Sequence, residues 1–124
     1  MPQKTLPFTN EQLERILAEH PTPFHIYDEA GIRRSARALN SAFAWDVGYR
    51  NYFAVKALPN PHILRILREE GMGADCSSLP ELMLAESVGM HGGEIMFTSN
   101  GTPAREYEYA KKLLSEQAKS EKYD

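Results

Sequence analysis

Three short apolar runs, each followed by a helix pattern, constrain the fold of this chain more than any other feature. The runs cover residues 52–55, 73–76 and 94–98, and they start roughly 20–25 residues apart. A strand, a short loop and a helix in repetition are typical of parallel βα units. The continuous apolar run at 52–55 indicates a strand buried on both faces. The repeat therefore predicts a parallel sheet with helices as crossovers.

The helices between these runs carry their own start and stop signals. Polar N-cap residues, prolines in the first turn and glycines just past the end are the signals expected of helix boundaries. They are Asn60 with Pro61 and Gly71 for the first helix, Ser78 with Glu81 and Gly89 for the second, and Thr102 with Pro103 for the third. We expect Ser78 and Glu81 to form a capping box, because they are three residues apart.

Upstream of the repeat, two more helices and one short strand are predicted. Thr9 and Gln12 have capping-box spacing and open a helix over residues 9–20, which prolines then end. The aromatic-rich segment 24–27 has the composition of a strand. Asp28 is a good N-cap for the next helix. The apolar face of that helix comprises Ile32, Ala36, Leu39 and Phe43.

The length of the chain limits how much of a barrel it can form. A closed (β/α) barrel needs eight strands and about 250 residues, whereas this chain has 124. We therefore expect an α/β fold, a partial TIM-type barrel of about three βα units, preceded by an N-terminal helix and a short strand. The corresponding division is residues 1–28 for the helix and strand, 29–114 for the partial barrel, and 115–124 for a polar tail.

Composition excludes several classes of protein. A formal net charge of −3 is unlike that of most nucleic-acid-binding domains. No apolar run approaches the ~20 residues of a membrane span. One cysteine cannot form an intrachain disulfide, and the four histidines share no ligand spacing with cysteines or carboxylates. We expect a cytoplasmic protein with no metal site, no nucleic-acid partner and no membrane association.

Lys56 is the first candidate for chemistry, because it directly follows the apolar run at 52–55. Functional residues of βα folds collect at the carboxyl ends of the strands. Apolar walls around Lys56 would favour its neutral amine, which can act as a Schiff-base nucleophile toward a carbonyl. The alternative is a lysine that extends along the rim of the sheet to water.

Two further polar clusters follow the next two strands. Asp75 and Ser77 can bind a cationic ring nitrogen and a phosphate, although Asp75 can equally be an ordinary loop carboxylate. Cys76 between them is expected to be a packed thiol rather than a nucleophile. The third cluster spans residues 98–100, and it is either part of a site or a turn that leads into Thr102.

Taken together and in this order, the clusters resemble a known family. The segments are Thr-Pro-Phe-His-Ile-Tyr-Asp at 22–28, Phe-Ala-Val-Lys-Ala-Leu-Pro-Asn-Pro at 53–61, Gly-Ala-Asp-Cys-Ser-Ser-Leu-Pro-Glu-Leu at 73–82 and Phe-Thr-Ser-Asn at 97–100. They resemble the N-terminal part of diaminopimelate decarboxylase, a pyridoxal-phosphate enzyme with an alanine-racemase-like barrel. The resemblance extends over about residues 21–114.

The resemblance implies a cofactor, a substrate and three site residues. Lys56 matches the lysine that holds pyridoxal 5′-phosphate covalently, Asp75 matches an aspartate near the cofactor, and Ala54 lines the same pocket. The family decarboxylates meso-2,6-diaminopimelate to L-lysine and carbon dioxide, and its full-length members are expected to be homodimers. The glycine-rich phosphate loop and other parts of the family's site would lie beyond residue 124. We therefore expect this chain by itself to be a truncated form with little or no activity.

Two alternatives remain open at the level of sequence. The first is a segment of a related ornithine, arginine or carboxynorspermidine decarboxylase, although Leu-Pro-Asn-Pro at 58–61 resembles the diaminopimelate enzymes more closely. The second is a non-catalytic chain that only associates with other chains through its open sheet edges.

Overall fold

A computed structural model describes residues 3–115 of the chain. These residues form five helices and three strands. In chain order they are α1 (Asn10–Glu19), α2 (Glu29–Ala42), β1 (Tyr52–Ala54), α3 (Pro61–Glu69), β2 (Gly73–Cys76), α4 (Leu79–Ser87), β3 (Ile95–Phe97) and α5 (Ala104–Ser115). Short 3₁₀ turns cover Val55–Ala57 and Gly92–Glu94. Residues 116–124, most of the expected polar tail, lie outside the described residues.

The three strands form a parallel sheet in the order β1-β2-β3. Each strand connects to the next through one helix, so the predicted βα units and the partial (β/α) barrel are confirmed. Phe53, Ala74 and Ile95 are aligned across the sheet in one row. The next row contains Ala54, Asp75 and Met96. Since side chains alternate between the faces of a sheet, these two rows face opposite sides.

The helices cover the face to which the first of these rows belongs. Ala74 is fully buried and Ile95 is 3% exposed, and both pack in one core with Leu64, Leu82 and Leu113 from α3, α4 and α5. The opposite face is less covered, as the 50% exposure of Met96 shows. Tyr52, Phe53 and Ala54 are only half-buried. The prediction that this strand is buried on both faces is therefore wrong for the described part of the chain, where helices pack on one face only.

A second, smaller core joins α2 to α3. It contains Ala36 from α2 and Ile63, Ile66, Leu67 and Met72 from α3 and the residues just after it. Ion pairs extend the contact at the end of α3, where Arg33 and Arg37 of α2 both reach Glu70 at 3.0 and 2.8 Å. Hydrogen bonds from Arg37 and Arg33 lower the pKa of the Glu70 carboxyl. The same kind of bond to Glu70 raises the pKa of Arg37.

Most helix boundaries follow the predicted signals. Thr9 and Gln12 form the reciprocal capping box that opens α1. The Asn60 side chain accepts from the backbone N–H of His62 at 2.9 Å, with Pro61 in the first turn of α3. After α3 and α4 the chain reverses at Gly71 and Gly89, which have φ of +83° and +87°. Glycine adopts this conformation without the steric cost that a Cβ would add.

Two local predictions are wrong, and that of Asp28 as an N-cap is confirmed in position only. Residues 24–27 are extended but form no strand, because a strand needs a hydrogen-bonded neighbour and residues 3–115 supply none to this segment. Asp28 occupies the N-cap position of α2, yet its side chain makes no capping bond. Ser78 likewise makes no capping bond to α4. Its hydroxyl donates instead to the Glu81 carboxylate at 2.6 Å.

No helix within residues 3–115 combines the length and the apolar character that crossing a membrane requires. In the same residues no three His, Cys, Asp or Glu side chains are grouped so that they can hold a metal ion.

Candidate functional site

The three polar clusters predicted from the sequence line one open cleft at the carboxyl ends of the strands. Its volume is about 510 Å³. The lining residues are Lys56, Asp75, Ser77, Thr98, Ser99 and Asn100. The sheet thus brings together residues that are more than 40 positions apart in the sequence.

Strand register explains why these side chains meet. Ala54 of β1 lies beside Asp75 of β2, on the sheet face that the helices leave uncovered. Lys56, Ser77 and Thr98 each lie two residues past this row, beyond the last residue of β1, β2 and β3. Because parallel pairing brings the carboxyl ends of the strands to one edge of the sheet, the segments that follow them line one cleft.

Lys56 lies in the Val55–Ala57 turn that directly follows β1. Val55 is fully buried and anchors the turn, which Leu58 closes by donating its backbone N–H to the Val55 carbonyl at 3.1 Å. The Lys56 side chain itself is exposed. The position at the strand end is therefore confirmed, whereas apolar walls around the ammonium are not formed by the described residues.

Asp75 is half-buried at the centre of the sheet and has a specific partner. The Thr98 hydroxyl donates to its Oδ1 at 2.6 Å. The backbone N–H of Thr98 donates to the Cys76 carbonyl at 2.9 Å, which continues the β2–β3 pairing by one residue. The sequence predicts residues 98–100 near the site but does not identify this pair, because a contact across 23 residues depends on the register of the strands.

The resemblance predicts that Ala54 lines the cofactor pocket. It is half-buried on β1 next to Asp75, but it is absent from the lining of the cleft. Ala54 lies level with Asp75 in the register of the sheet, and its role as a pocket residue stays a prediction.

Cys76 is fully buried on the opposite face of β2, within the core. Burial, with the nearby charges of Glu81 and Asp75, raises the pKa of its thiol to about 12. A thiol with this pKa is protonated at neutral pH and is a poor nucleophile. The prediction of a packed thiol is confirmed.

Glu81 presents one unsatisfied oxygen next to the site. Its Oε2 accepts from Ser78, whereas its Oε1 is buried and has no hydrogen-bond partner among the described residues. Buried carboxylate oxygens are normally hydrogen-bonded. This oxygen can therefore accept a hydrogen bond from a donor outside residues 3–115. The interpretation of Glu81 as a purely structural capping residue does not predict such an acceptor.

The cleft as a whole offers an exposed primary amine, a carboxylate, three hydroxyls and a side-chain amide. A primary amine forms a Schiff base with a carbonyl compound. The hydroxyls and the amide can donate to oxygen atoms of such a compound, and the carboxylate can accept from a protonated nitrogen. The arrangement suits a polar carbonyl ligand that attaches to Lys56.

Comparisons with known proteins agree with this chemistry. Residues 29–122 match the family described as pyridoxal-dependent decarboxylase, pyridoxal binding domain. Protein TabA of Pseudomonas amygdali pv. tabaci is 54% identical over 98 residues, which cover 79% of this chain and 23% of TabA. Diaminopimelate decarboxylase of Bacteroides thetaiotaomicron is 41% identical over 80 residues, 64% of this chain and 21% of that enzyme. The chain therefore spans less than a quarter of the length of these relatives.

Solved structures of decarboxylases have the same fold. Diaminopimelate decarboxylase of Helicobacter pylori, complexed with L-lysine, superposes with a TM-score of 0.68 at 35% identity over 82% of this chain and 26% of that one. Ornithine decarboxylase of Entamoeba histolytica superposes with a TM-score of 0.72 at 26% identity over 84% of this chain and 33% of that one. By its sequence match and its fold, the chain belongs to the pyridoxal-dependent decarboxylases, whose cofactor is pyridoxal phosphate, and it contains part of their pyridoxal-binding domain.

Proposed function

We propose that this chain is the cofactor-attachment segment of a diaminopimelate decarboxylase and that Lys56 is the residue to which pyridoxal phosphate attaches. The observation that carries the proposal is the shared cleft, in which an exposed lysine at the end of β1 meets Asp75 at the end of β2. Among the described lysines, Lys4, Lys111 and Lys112 lie outside this cleft.

The residues of the cleft fit pyridoxal phosphate in their chemistry. Lys56 supplies the amine that a pyridoxal aldehyde requires. Ser77 and Ser99 supply hydroxyl donors, and Asn100 adds an amide. Asp75 supplies a carboxylate that can accept from a protonated donor on the cofactor or on Lys56 itself. When bound, the cofactor supplies an electron sink for the carbanion that loss of carbon dioxide leaves.

The chain's own residues would bind, orient and hold protons around that chemistry. Lys56 would hold the cofactor through its carbonyl carbon, and the buried Val55 anchors the turn from which Lys56 extends. Asp75 presents a carboxylate to the same space from the neighbouring strand. Ala54 lies level with Asp75 on β1, and its small side chain would leave room for the cofactor on this face of the sheet.

The proposed substrate is meso-2,6-diaminopimelate, and the products are L-lysine and carbon dioxide. Two observations support this choice over other amino acids. The chain is 41% identical to one diaminopimelate decarboxylase over 80 residues. The segment Leu-Pro-Asn-Pro at 58–61 resembles those enzymes. The second candidate is an ornithine-type decarboxylase, which the superposition with ornithine decarboxylase favours.

We further propose that residues 29–114 belong to one barrel domain, which residues 1–28 precede. The full-length protein would be a cytoplasmic homodimer, as the resemblance to the family implies. These assignments are predictions for the whole protein, because the chain spans less than a quarter of the length of TabA and of the Bacteroides diaminopimelate decarboxylase.

Borohydride trapping tests the attachment residue. Pyridoxal phosphate is added to the chain, the product is reduced, and the modified peptide is identified by mass spectrometry. We expect modification to concentrate on Lys56, because the cleft holds the bound carbonyl next to this amine. The variant Lys56→Ala should lose the specific label, and Lys111→Ala, which removes an exposed lysine on α5, should retain it. An even distribution of label over all lysines would contradict the proposal.

The choice of substrate is tested on the same reaction. An amino acid that binds next to the cofactor competes with Lys56 for the carbonyl and protects Lys56 from trapping. We expect meso-diaminopimelate to protect at lower concentration than L-ornithine. Stronger protection by L-ornithine would favour the second candidate.

A further inference from the structure

Thr98 is the residue of the cleft whose side chain contacts Asp75. Its hydroxyl donates to Asp75 Oδ1 at 2.6 Å. Its backbone is held as well, because its N–H donates to the Cys76 carbonyl at 2.9 Å. The hydroxyl therefore extends from a fixed point at the end of β3 toward the end of β2.

We propose that Thr98 is a positioning residue, which holds the Asp75 carboxylate in the orientation that faces the amine of Lys56 and the cofactor attached there. The inference rests on the proposed function, since it assigns to Thr98 a role in the same site. Thr98 acts through Asp75 and is not itself a catalytic residue.

The geometry restricts how Asp75 can move. Its backbone is paired on both sides, with Ala54 of β1 and Met96 of β3. The remaining freedom of the carboxylate is rotation about its side-chain bonds. The bond from Thr98 removes this freedom by engaging Oδ1. Among the described residues Oδ2 has no hydrogen-bond donor, so one carboxylate oxygen is held and the other is available to the cleft.

A purely structural role for this bond makes a different prediction. Thr98 is exposed, and a hydrogen bond at the surface contributes little to folding because water replaces it readily. Removing the hydroxyl should therefore leave the unfolding midpoint nearly unchanged. An orientation role predicts that the same change alters cofactor binding, because the carboxylate then samples several rotamers and only some of them face Lys56.

The first experiment compares three variants of the full 124-residue chain. Thr98→Val removes the hydroxyl and keeps the shape, Thr98→Ser keeps the hydroxyl, and Thr102→Val makes the same chemical change outside the cleft. The measurements are the dissociation constant for pyridoxal phosphate, from its absorbance and fluorescence, and the rate of borohydride trapping at Lys56. We expect Thr98→Val to raise the dissociation constant about tenfold, the lower end of the effect of removing a side chain that orients a binding group. Thr98→Ser and Thr102→Val should remain close to the unsubstituted chain.

The second experiment is a double-mutant cycle with Asp75→Ala. If Thr98 acts through Asp75, Thr98→Val has no further effect on the dissociation constant once the carboxylate is gone. A wild-type dissociation constant in Thr98→Val would overturn the inference, and so would an effect that persists in full in the Asp75→Ala background. The comparison with the Asp75→Ala background remains valid even if Thr98→Val lowers the stability of the chain. A general loss of stability would weaken cofactor binding equally with and without the Asp75 carboxylate.

Failure of the proposed function gives a different result. If the unsubstituted chain shows no trapping at Lys56, the attachment site is wrong and the role of Thr98 fails with it. If Lys56 is trapped but Asp75→Ala leaves the dissociation constant unchanged, Lys56 keeps its role while Asp75 and Thr98 lose theirs. If Asp75→Ala weakens binding and Thr98→Val does not, only the inference about Thr98 is overturned.

Discussion

The single cysteine of this chain gives a direct test of how tightly its core is packed. Cys76 is fully buried against the helices, and its pKa is raised to about 12, mainly by loss of water contact. Only the thiolate reacts with disulfide reagents. At pH 8 a thiol of pKa about 12 is ionised to about one part in 10⁴, whereas a thiol near 9 is ionised to about one part in ten.

A thiolate of higher pKa is also more nucleophilic, with a Brønsted coefficient of about 0.4–0.5, so the folded chain should react about 30- to 60-fold more slowly than the unfolded chain at this pH, before any steric protection is counted. The assay follows the absorbance of an aromatic disulfide reagent in buffer and in concentrated urea. Because the chain contains one cysteine, the signal reports on this site alone, and Cys76→Ser supplies the blank. The rate of the folded chain should keep rising with pH beyond 9, whereas that of the unfolded chain should level off.

A folded-state rate within tenfold of the unfolded rate would refute the reasoning. It would mean that β2 and the helices over it separate often enough for the thiol to ionise in water. The partial barrel would then be a loosely packed state, despite the close contacts of Cys76 with its neighbours.

Two further predictions concern stability. Gly73→Ala should lower the free energy of unfolding by about 1–3 kcal/mol in urea titrations, because its Cβ would lie 2.5 Å from the backbone carbonyl oxygen of Glu94, which cannot move aside. Gly48→Ala, with no atom closer than 3.6 Å to the new Cβ, is the matched control, and equal effects of the two would contradict the packing argument. Glu70→Gln should lower the urea midpoint at pH 7, since bonds from Arg37 lower the carboxyl pKa in the folded chain and so stabilise it above the unfolded pKa. This difference should disappear as the pH falls through the folded pKa, and a difference that is independent of pH would exclude the ion pair as its cause.

The sequence by itself determined the local structure of this protein. Asn60 with Pro61, and the glycines at 71 and 89, predict the boundaries of α3 and α4 because capping and positive φ depend only on neighbours within a few residues. The order of strands and helices, and the place of Lys56 at a strand end, follow from the same local patterns. The motifs around Lys56 and Asp75 also sufficed to indicate the family.

Tertiary structure decided everything that depends on a distant partner. Residues 24–27 have the composition of a strand, but strand formation needs hydrogen bonds from another segment, and the described residues offer none. The contact of Thr98 with Asp75 exists only because parallel pairing sets β2 and β3 in one register. A linear pattern specifies which residues end each strand, and the three-dimensional alignment of the strands determines which of them touch.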